Sequence, residues 1–545
     1  MNRKLWTIIG LCIILVVGGA LGIIINSIAT RFTPFAAPAA VTTTVSGNGT
    51  NAVMVGPYLY FAANFVSTDS IVYRQNEHNR VEYGGIYRLR LNDQGRPTYD
   101  NQWLVDQAQG GMTMDDIEAY FGAQWNSRPT WDLRPIVPKV AGFERTAIWV
   151  FGDYLVYASP NNRQNRFGEL QSARLDFFRV DLTGRNHRLL FTSASPQLAP
   201  DDFTVTRVGG ANNMRTYLLV NDAGRIVRVS VCTRPGTVTE ISTEATSHAF
   251  PRIHTYTDHS YRMMGDVMSW IYFTEDRDPE VDPVQGNLLK RFPIHSGNPN
   301  QNATVLSNIP NAHFRAMSVA NNMFMFTMAD FVQGGAHINN RLFVANNAIE
   351  TNFQGLSALE SNFLATRIFQ PEESFFTSED QINNIQRFVS FANQSVFVYT
   401  RLANPTADGS RFASSRLSLP PIQQIIHIGT EHIWLHTTTD QILVVNWHGQ
   451  PARDSLSAID MNSRTGGSMT PSVFSRIDNE GRISLFDNSL SEMVFYMRTV
   501  TSLYDGTTMT IATIVDSQGR SWRLGEIPEE FFQEAPDVEG EEIIS

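Results

Sequence analysis

Cysteine is almost absent: the 545-residue chain has two, Cys12 and Cys232. Cys12 lies within an uncharged apolar run, which argues against a bridge to Cys232, so the fold must hold without disulfides. Lysine is nearly absent as well, with only Lys4, Lys139 and Lys290 among 42 basic residues. Charged residues make up 17% of the chain and the formal net charge is −11, which argues against a nucleic-acid binder with its basic face. Also missing are a P-loop, an HExxH helix, a CxxC pair and a GxSxG elbow, so none of those signatures identifies a reaction. What is present is 42% hydrophobic residues, the composition of a globular chain rather than a disordered one.

The first feature with a physical length is the N-terminus. Met1-Asn2-Arg3-Lys4 is a short basic head, and Leu5 to Ile25 follows without a charge. At 1.5 Å per residue that run spans ~31 Å as a helix, the thickness of a bilayer's hydrocarbon core. Arg3, Lys4 and the amino terminus outweigh Arg31 beyond the run, which predicts a cytoplasmic N-terminus and an extracytoplasmic main domain at the plasma membrane. A cleavable signal peptide, with small-residue sites near Ala37 and Ala39, is the alternative. A lipoprotein anchor fits poorly, because Leu11 precedes Cys12 where a small residue is wanted. Gly18 and Gly22 form a GxxxG pair that offers a weak helix-mediated dimer contact. Residues 1–31 therefore read as head and signal anchor, and 32–53, rich in Ala, Thr, Pro and Gly, as a linker.

From residue 54 the pattern changes to short apolar or aromatic runs between polar turns. Tyr58–Phe61, Tyr154–Tyr157, Tyr217–Val220, Trp270–Phe273, Met323–Phe326, Val396–Tyr399, Ile433–Leu435 and Val494–Tyr496 have the aromatic and β-branched content of buried strands. A five-residue repeat runs through them: Asn or Asp, two variable positions, Gly, then Arg or Gln. Its copies are Asn92–Arg96, Asp181–Arg185, Asn221–Arg225, Asn446–Gln450, Asp478–Arg482 and Asp516–Arg520. An Asx side chain can cap such a turn and glycine supplies its positive φ, so each copy predicts a hairpin. Glycine spacings of roughly 32–40 residues suggest a four-stranded unit. Thr113–Phe121 and Ser378–Phe391 carry helix-start signals and apolar stripes, and read as short helical insertions. Residues 528–545 form an acidic tail.

Repeated antiparallel units of this length close best as a β-propeller, which leaves few exposed sheet edges. The expected fold is all-β, with about seven blades (six or eight the neighbours of that number) over 54–527. A β-sandwich array is the alternative. The segment Phe177-Phe178-Arg179-Val180-Asp181-Leu182-Thr183-Gly184-Arg185, following an aromatic strand, resembles bacterial propellers of the TolB-like and lipoprotein-receptor-like kind. The YWTD signature of the latter is absent.

Residues able to carry chemistry are few. Asp276, Asp278, Glu280 and Asp282 alternate in a stretch that should be a loop, the spacing of a calcium site, although the EF-hand glycine and terminal glutamate are missing. A plain solvated acidic loop is the favoured reading of them. Beyond that calcium candidate no cofactor is implied. His427, His432, His436 and His448 crowd together in sequence, yet on a strand His432 and His436 would stand ~13 Å apart. His254, Asp258 and His259 form a second polar group of the same bland kind. Cys232 reads as an inert thiol on a strand. The expectation is a membrane-anchored binding or scaffold module of the cell envelope, with an envelope protein or glycan as partner. The alternative is a propeller hydrolase or lyase acting on envelope glycans or peptides, its carboxylates converging from different blades.

Overall fold

Strands form where the sequence alternates, and the runs that do not alternate become strands buried on both faces. A computed structural model of the protein describes the strands between residues 44 and 524 with their tighter connections. Residues 1–43 and 525–545 lie outside the description, as do the longer connections, among them 64–82, 91–134, 162–173, 258–269, 278–285, 347–362, 377–385 and 476–491. All described regular structure is β. It forms eight antiparallel sheets, seven of four strands and one of six.

In chain order the sheets occupy residues 52–141, 148–192, 203–242, 245–307, 312–366, 374–416, 422–460 and 472–524, numbered here 1 to 8. Each is a meander whose first strand is innermost. The first strand of sheet 1 (Ala52–Val55) touches those of sheet 2 (Ile148–Phe151) and sheet 8 (Ser472–Ser475), which closes the ring. Innermost strands of sheets 4 and 5, 5 and 6, and 7 and 8 also meet. Trp149 against Phe203, ring centroids 5.8 Å apart, joins sheets 2 and 3. The remaining seams repeat one backbone contact. Ala245 N–H donates to Gly224 O at 2.9 Å, and Ile422 N–H to Gln394 O at 2.9 Å, each joining the start of an inner strand to the preceding sheet's second hairpin. The chain is therefore an all-β propeller with seven four-stranded blades, and the six-stranded sheet fills an eighth position in the ring. The sandwich alternative is set aside, because both ends of the sheet series meet.

Seams between the sheets carry a second repeat, which only the structure makes visible. On the third strands of sheets 1 to 4, Arg88, Arg179, Arg228 and Arg291 lie opposite Tyr60, Val156, Leu219 and Tyr272 of the second strands. Each guanidinium stacks on the aromatic ring two residues earlier: Tyr58 at 4.7 Å, Tyr154 at 4.4 Å, Tyr217 at 4.8 Å and Trp270 at 3.8 Å. Residues two apart share a face of a strand, which is why the stack recurs. Two of these arginines also reach the next sheet. Arg179 Nη1 donates to Val231 O at 2.8 Å, and Arg228 Nη1 to Ile294 O at 2.5 Å. Both acceptors stand three residues beyond the next sheet's own arginine. Asn287 does the same work with an amide: its Oδ1 accepts from Phe314 N–H at 2.8 Å and its Nδ2 donates to Phe314 O at 3.0 Å.

Three expectations need correction. The stretch 32–53 was read as linker, but Thr44–Ser46 and Ala52–Val55 are strands. Val45, Ala52 and Val53 are buried in the core, so small and β-branched residues there are packing residues rather than spacers. The helix over Ser378–Phe391 is overturned at its C-terminal end, where Arg387–Ala392 is a strand paired with Ser395–Arg401. Phe388 stacks flat on Tyr399 across that pair at 4.3 Å, a cross-strand contact that outweighs the helical stripe. The residues 378–385 and Thr113–Phe121 lie outside the description. Cys232 sits two residues past the strand Arg225–Ser230, partly buried against the core rather than on the strand.

The turn repeat gives hairpins as expected, but not at one structural position. Asp181–Arg185 and Asn446–Gln450 join third to fourth strands through the same two backbone bonds, with Gly184 at φ 81° and Gly449 at φ 77°. Asn221–Arg225 joins the second strand of sheet 3 to its third, with Gly224 at φ 89° bonded to Asn221 Oδ1. The turn chemistry recurs because tight hairpins need it, so glycine spacing does not measure the sheet period. The copies at Asn92–Arg96 and Asp478–Arg482 lie outside the description, as does Asp516–Arg520 beyond its first residue, which ends a strand.

The seam contacts predict a ranking of arginine substitutions. Arg228→Ala strands the Ile294 carbonyl in a buried seam and removes a stacked cation, a loss of about 2–4 kcal/mol. Arg225→Ala, which removes an exposed pair with Glu240, should cost less than about 1 kcal/mol. Urea unfolding of the two variants beside the parent protein checks the order.

Candidate functional site

Chemistry-bearing residues are placed by three kinds of element: inner strands around the axis, hairpin turns, and the ends of second strands. The acidic run begins on the last kind. Asp276 ends the strand Trp270–Asp276, exposed and paired in register with Asn287. Its neighbours are committed to the scaffold. Glu275 pairs with Lys290 and accepts from Ser242 Oγ at 2.6 Å, and Arg277 Nη2 donates to Asn308 O at 2.5 Å. Asp278, Glu280 and Asp282 lie outside the described residues. Among the described residues no group of three or more His, Cys, Asp or Glu is arranged to hold a metal ion.

The histidines of sheet 7 are spread through it. His427 is opposite Trp434, His432 opposite Asn446, and His436 opposite both Gln424 and Ile442. His436 is fully buried, whereas His448 is exposed in the following turn, where its N–H donates to Asn446 Oδ1 at 2.9 Å. Strand geometry thus separates what sequence proximity grouped. His254, Asp258 and His259 lie outside the described residues.

Two arrangements that the sequence reading missed are brought together by the fold. At the seam of sheets 3 and 4, Asn221 Nδ2 donates to His248 Nδ1 at 2.9 Å, and His248 Nε2 faces Asp202 Oδ1 at 3.8 Å. Asn221 Oδ1 already accepts from Gly224 N–H at 2.8 Å, so the amide is fixed with its NH2 toward the ring. The imidazole therefore carries its proton on Nε2, facing a carboxylate, with Nδ1 occupied. Such a ring is oriented and electrostatically steadied, and would need to exchange a partner before acting as a base. Asn221 belongs to the turn repeat and was legible in that role. Asp202 stands in the bend just before the strand Phe203–Val208 and His248 on the strand Ala245–Ala249, and nothing local marks them.

The second arrangement belongs to sheet 2. Tyr157 and His187 Nε2 are hydrogen-bonded at 2.6 Å, and the His187 ring stacks on Phe178 at 5.0 Å. Burial pushes the Tyr157 phenol up, with the Asp176 carboxylate adding to the shift, and burial lowers the His187 imidazole. A protonated phenol donating to a neutral imidazole is the state both shifts favour.

The axis of the ring is where sheet 1 differs from the rest. Its strand order runs from the outer Pro135–Ala141 inward to Ala52–Val55, then continues to Thr44–Ser46 and finally Thr255–Thr257. The last two strands stand inside the innermost row. Gly49 N–H donates to Ile148 O at 2.8 Å, Ile148 N–H to Thr50 O at 2.7 Å, and Val150 N–H to Asn48 Oδ1 at 2.7 Å, so the turn before Ala52 also fastens to sheet 2.

The molecule so described is a β-propeller with an occupied axis. No protein-family model matches the chain. No curated relative matches it. Similar solved structures include a eukaryotic initiation factor, 9% identical over 92% of each chain, with a TM-score of 0.35. Prolyl oligopeptidase B from Galerina marginata is 9% identical over 91% of this chain and 60% of its own, with a TM-score of 0.36. An oligogalacturonate lyase in complex with manganese is 12% identical over 71% of this chain and 98% of its own, with a TM-score of 0.31. At these scores the likenesses carry no argument about activity, and the fold rests on the sheet topology above.

Buried phenols predict an alkaline transition. Burial pushes Tyr60 and Tyr272 up to about 12, against the opposing pull of Arg88 and Arg291. An unfolded phenol ionises near ~10, so above that pH the unfolded chain loses protons first. Stability contributed by these two groups is full below pH ~10 and lost as the pH rises toward 12. Phenolate absorbance at 295 nm should therefore rise late for these residues and coincide with loss of near-ultraviolet circular dichroism.

Proposed function

We propose that the protein is a membrane-anchored binding or scaffold propeller, displayed on the extracytoplasmic side of a cell envelope. The observation that carries this reading is the division of labour along the chain. Buried arginines and amides are committed to joining one sheet to the next, which makes a rigid ring. Several strand-to-strand connections, such as 64–82, 91–134 and 347–362, are far longer than the ~2–5 residues a hairpin needs. Connections in excess of what the scaffold requires are where a propeller meets its partners. The uncharged run Leu5–Ile25, outside the described residues, supports the anchor; among those residues no helix is long and apolar enough to cross a membrane.

An envelope hydrolase or lyase is the second reading. The arrangement in its favour is Asp202–His248–Asn221, a carboxylate, imidazole and amide at the edge of a sheet seam.

Crosslinking in intact cells should capture an envelope protein or a wall polymer through 91–134 or 347–362. Shortening either segment should abolish capture with little change in melting temperature. Turnover of an envelope glycan or peptide by the purified protein, lost in His248→Ala, would instead establish the enzyme reading. The anchor has its own test. Protease added to spheroplasts should digest residues beyond 55 while the remainder stays in the membrane, and full protection or free release would sink that topology.

A further inference from the structure

Among the described residues no strand is exchanged at the closure of the ring: sheet 1 contains no C-terminal strand and sheet 8 no N-terminal one. The described strands close the ring by packing of sheets 1 and 8, where the first strands meet and the second strand of sheet 1 approaches the third of sheet 8. A different tie crosses the axis. Thr44–Ser46 pairs antiparallel with Ala52–Val55, as Val45↔Val55 and Ser46↔Met54. Its other edge pairs with Thr255–Thr257, as Thr44↔Thr257, Val45↔Tyr256 and Ser46↔Thr255. In the chain, Thr255–Thr257 lies between the first and second strands of sheet 4, Ala245–Ala249 and Trp270–Asp276. Sheets 1 and 4 are three positions apart in the ring. A strand from the connection between the first two strands of sheet 4 thus completes the sheet begun on the far side of the axis.

We infer that the strand Thr44–Ser46 is a latch: it stands within the channel, ties sheet 1 to the chain segment of sheet 4, and opens that part of the channel when it lets go. The pairing argues for a releasable tie. Three residues face three across the axis, against the nine-residue register that joins the second and third strands of sheet 8. Short ladders open at a lower free energy than long, buried ones, without unfolding the rest. Val45 is 3% exposed, so it is a core side chain that holds the strand in place. The latch also lies directly after residues 1–43, so any tether formed by that segment would reach the ring at its axis.

Hydrogen exchange on the full chain tests this first. Amides of 44–46 and 255–257 should be protected, should exchange together, and should do so at least ~100-fold faster than those of the strand Tyr217–Val220. Absence of protection at 255–257, or exchange only with global unfolding, overturns the latch. A second measurement uses the register itself, since directly opposed residues place their Cβ atoms within disulfide reach. With Cys12 and Cys232 replaced by Ser, Val45→Cys with Tyr256→Cys should oxidise to an intramolecular bond and abolish the fast exchange of both segments. The control pair Val45→Cys with Val238→Cys, the latter on the outermost strand of sheet 3, should stay reduced. Failure of the first pair to bond in a folded protein, or equal bonding in the control, overturns the pairing across the axis.

Discussion

A four-stranded sheet standing on end in a ring has neighbours on both faces, and any polar group caught between them must find a partner there or cost ~1–3 kcal/mol. The guanidinium suits that position. It remains charged when buried, lies flat on an aromatic face, and still has N–H groups to give to a carbonyl on the next sheet. Arg179 and Arg228 do both, and the acceptor is each time the residue three beyond the next arginine. Register within one sheet is thereby tied to register in its neighbour. Burial draws the Arg228 guanidinium down, and its aromatic partner Tyr217 opposes that shift.

The same constraint accounts for arginine rather than lysine at these seam positions. An ammonium is a compact, strongly hydrated charge that cannot stack as a planar group, and burying it in a seam would be expensive. Lys290 is half-buried and sits against a carboxylate, the Glu275 that also accepts from Ser242. Where arginine is not used, a neutral amide takes the role, as Asn287 does toward Phe314 and Asn48 toward Val150. Gly286 before Asn287 is held at φ 109°, and a Cβ there would meet Ala312 O at 2.3 Å. Close approach of neighbouring sheets needs a residue without a side chain at that point.

Occupation of the axis changes how the ring should be viewed. In an open propeller the innermost strands line a channel and present one edge to it. Here sheet 1 extends inward by two strands, one of them supplied by the connection between the first two strands of sheet 4. Met54 and Val55 of the strand Ala52–Val55 are paired with Ser46 and Val45, which covers that part of the inner edge. The two side-chain arrangements away from the axis, around His248 and His187, lie in seams or within a sheet. Both are steadied by neighbouring groups, His187 by Tyr157 and Phe178 although it is exposed.

Sequence alone determined the class of fold, because strand periodicity and turn chemistry are local. Tyr58–Phe61, Tyr154–Tyr157, Tyr217–Val220, Trp270–Phe273 and Met323–Phe326 each form a second strand of a sheet, as aromatic and β-branched content required. Asp181, Asn221 and Asn446 mark hairpins: a glycine at positive φ follows each, and the side chains of Asn221 and Asn446 also cap the turn's backbone. Sequence did not reveal that Arg179 and Arg228 face carbonyls 52 and 66 residues away, since nothing near either arginine encodes its acceptor. Nor did it show that Thr44–Ser46 is a strand. Three residues in a stretch rich in Ala, Thr and Gly have no period, and they become a strand only when two partners are brought to their edges. Asp202, Asn221 and His248 were separate for the same reason: hairpin chemistry acts over a few residues, whereas a seam joins residues whose neighbourhood exists only once the ring has closed.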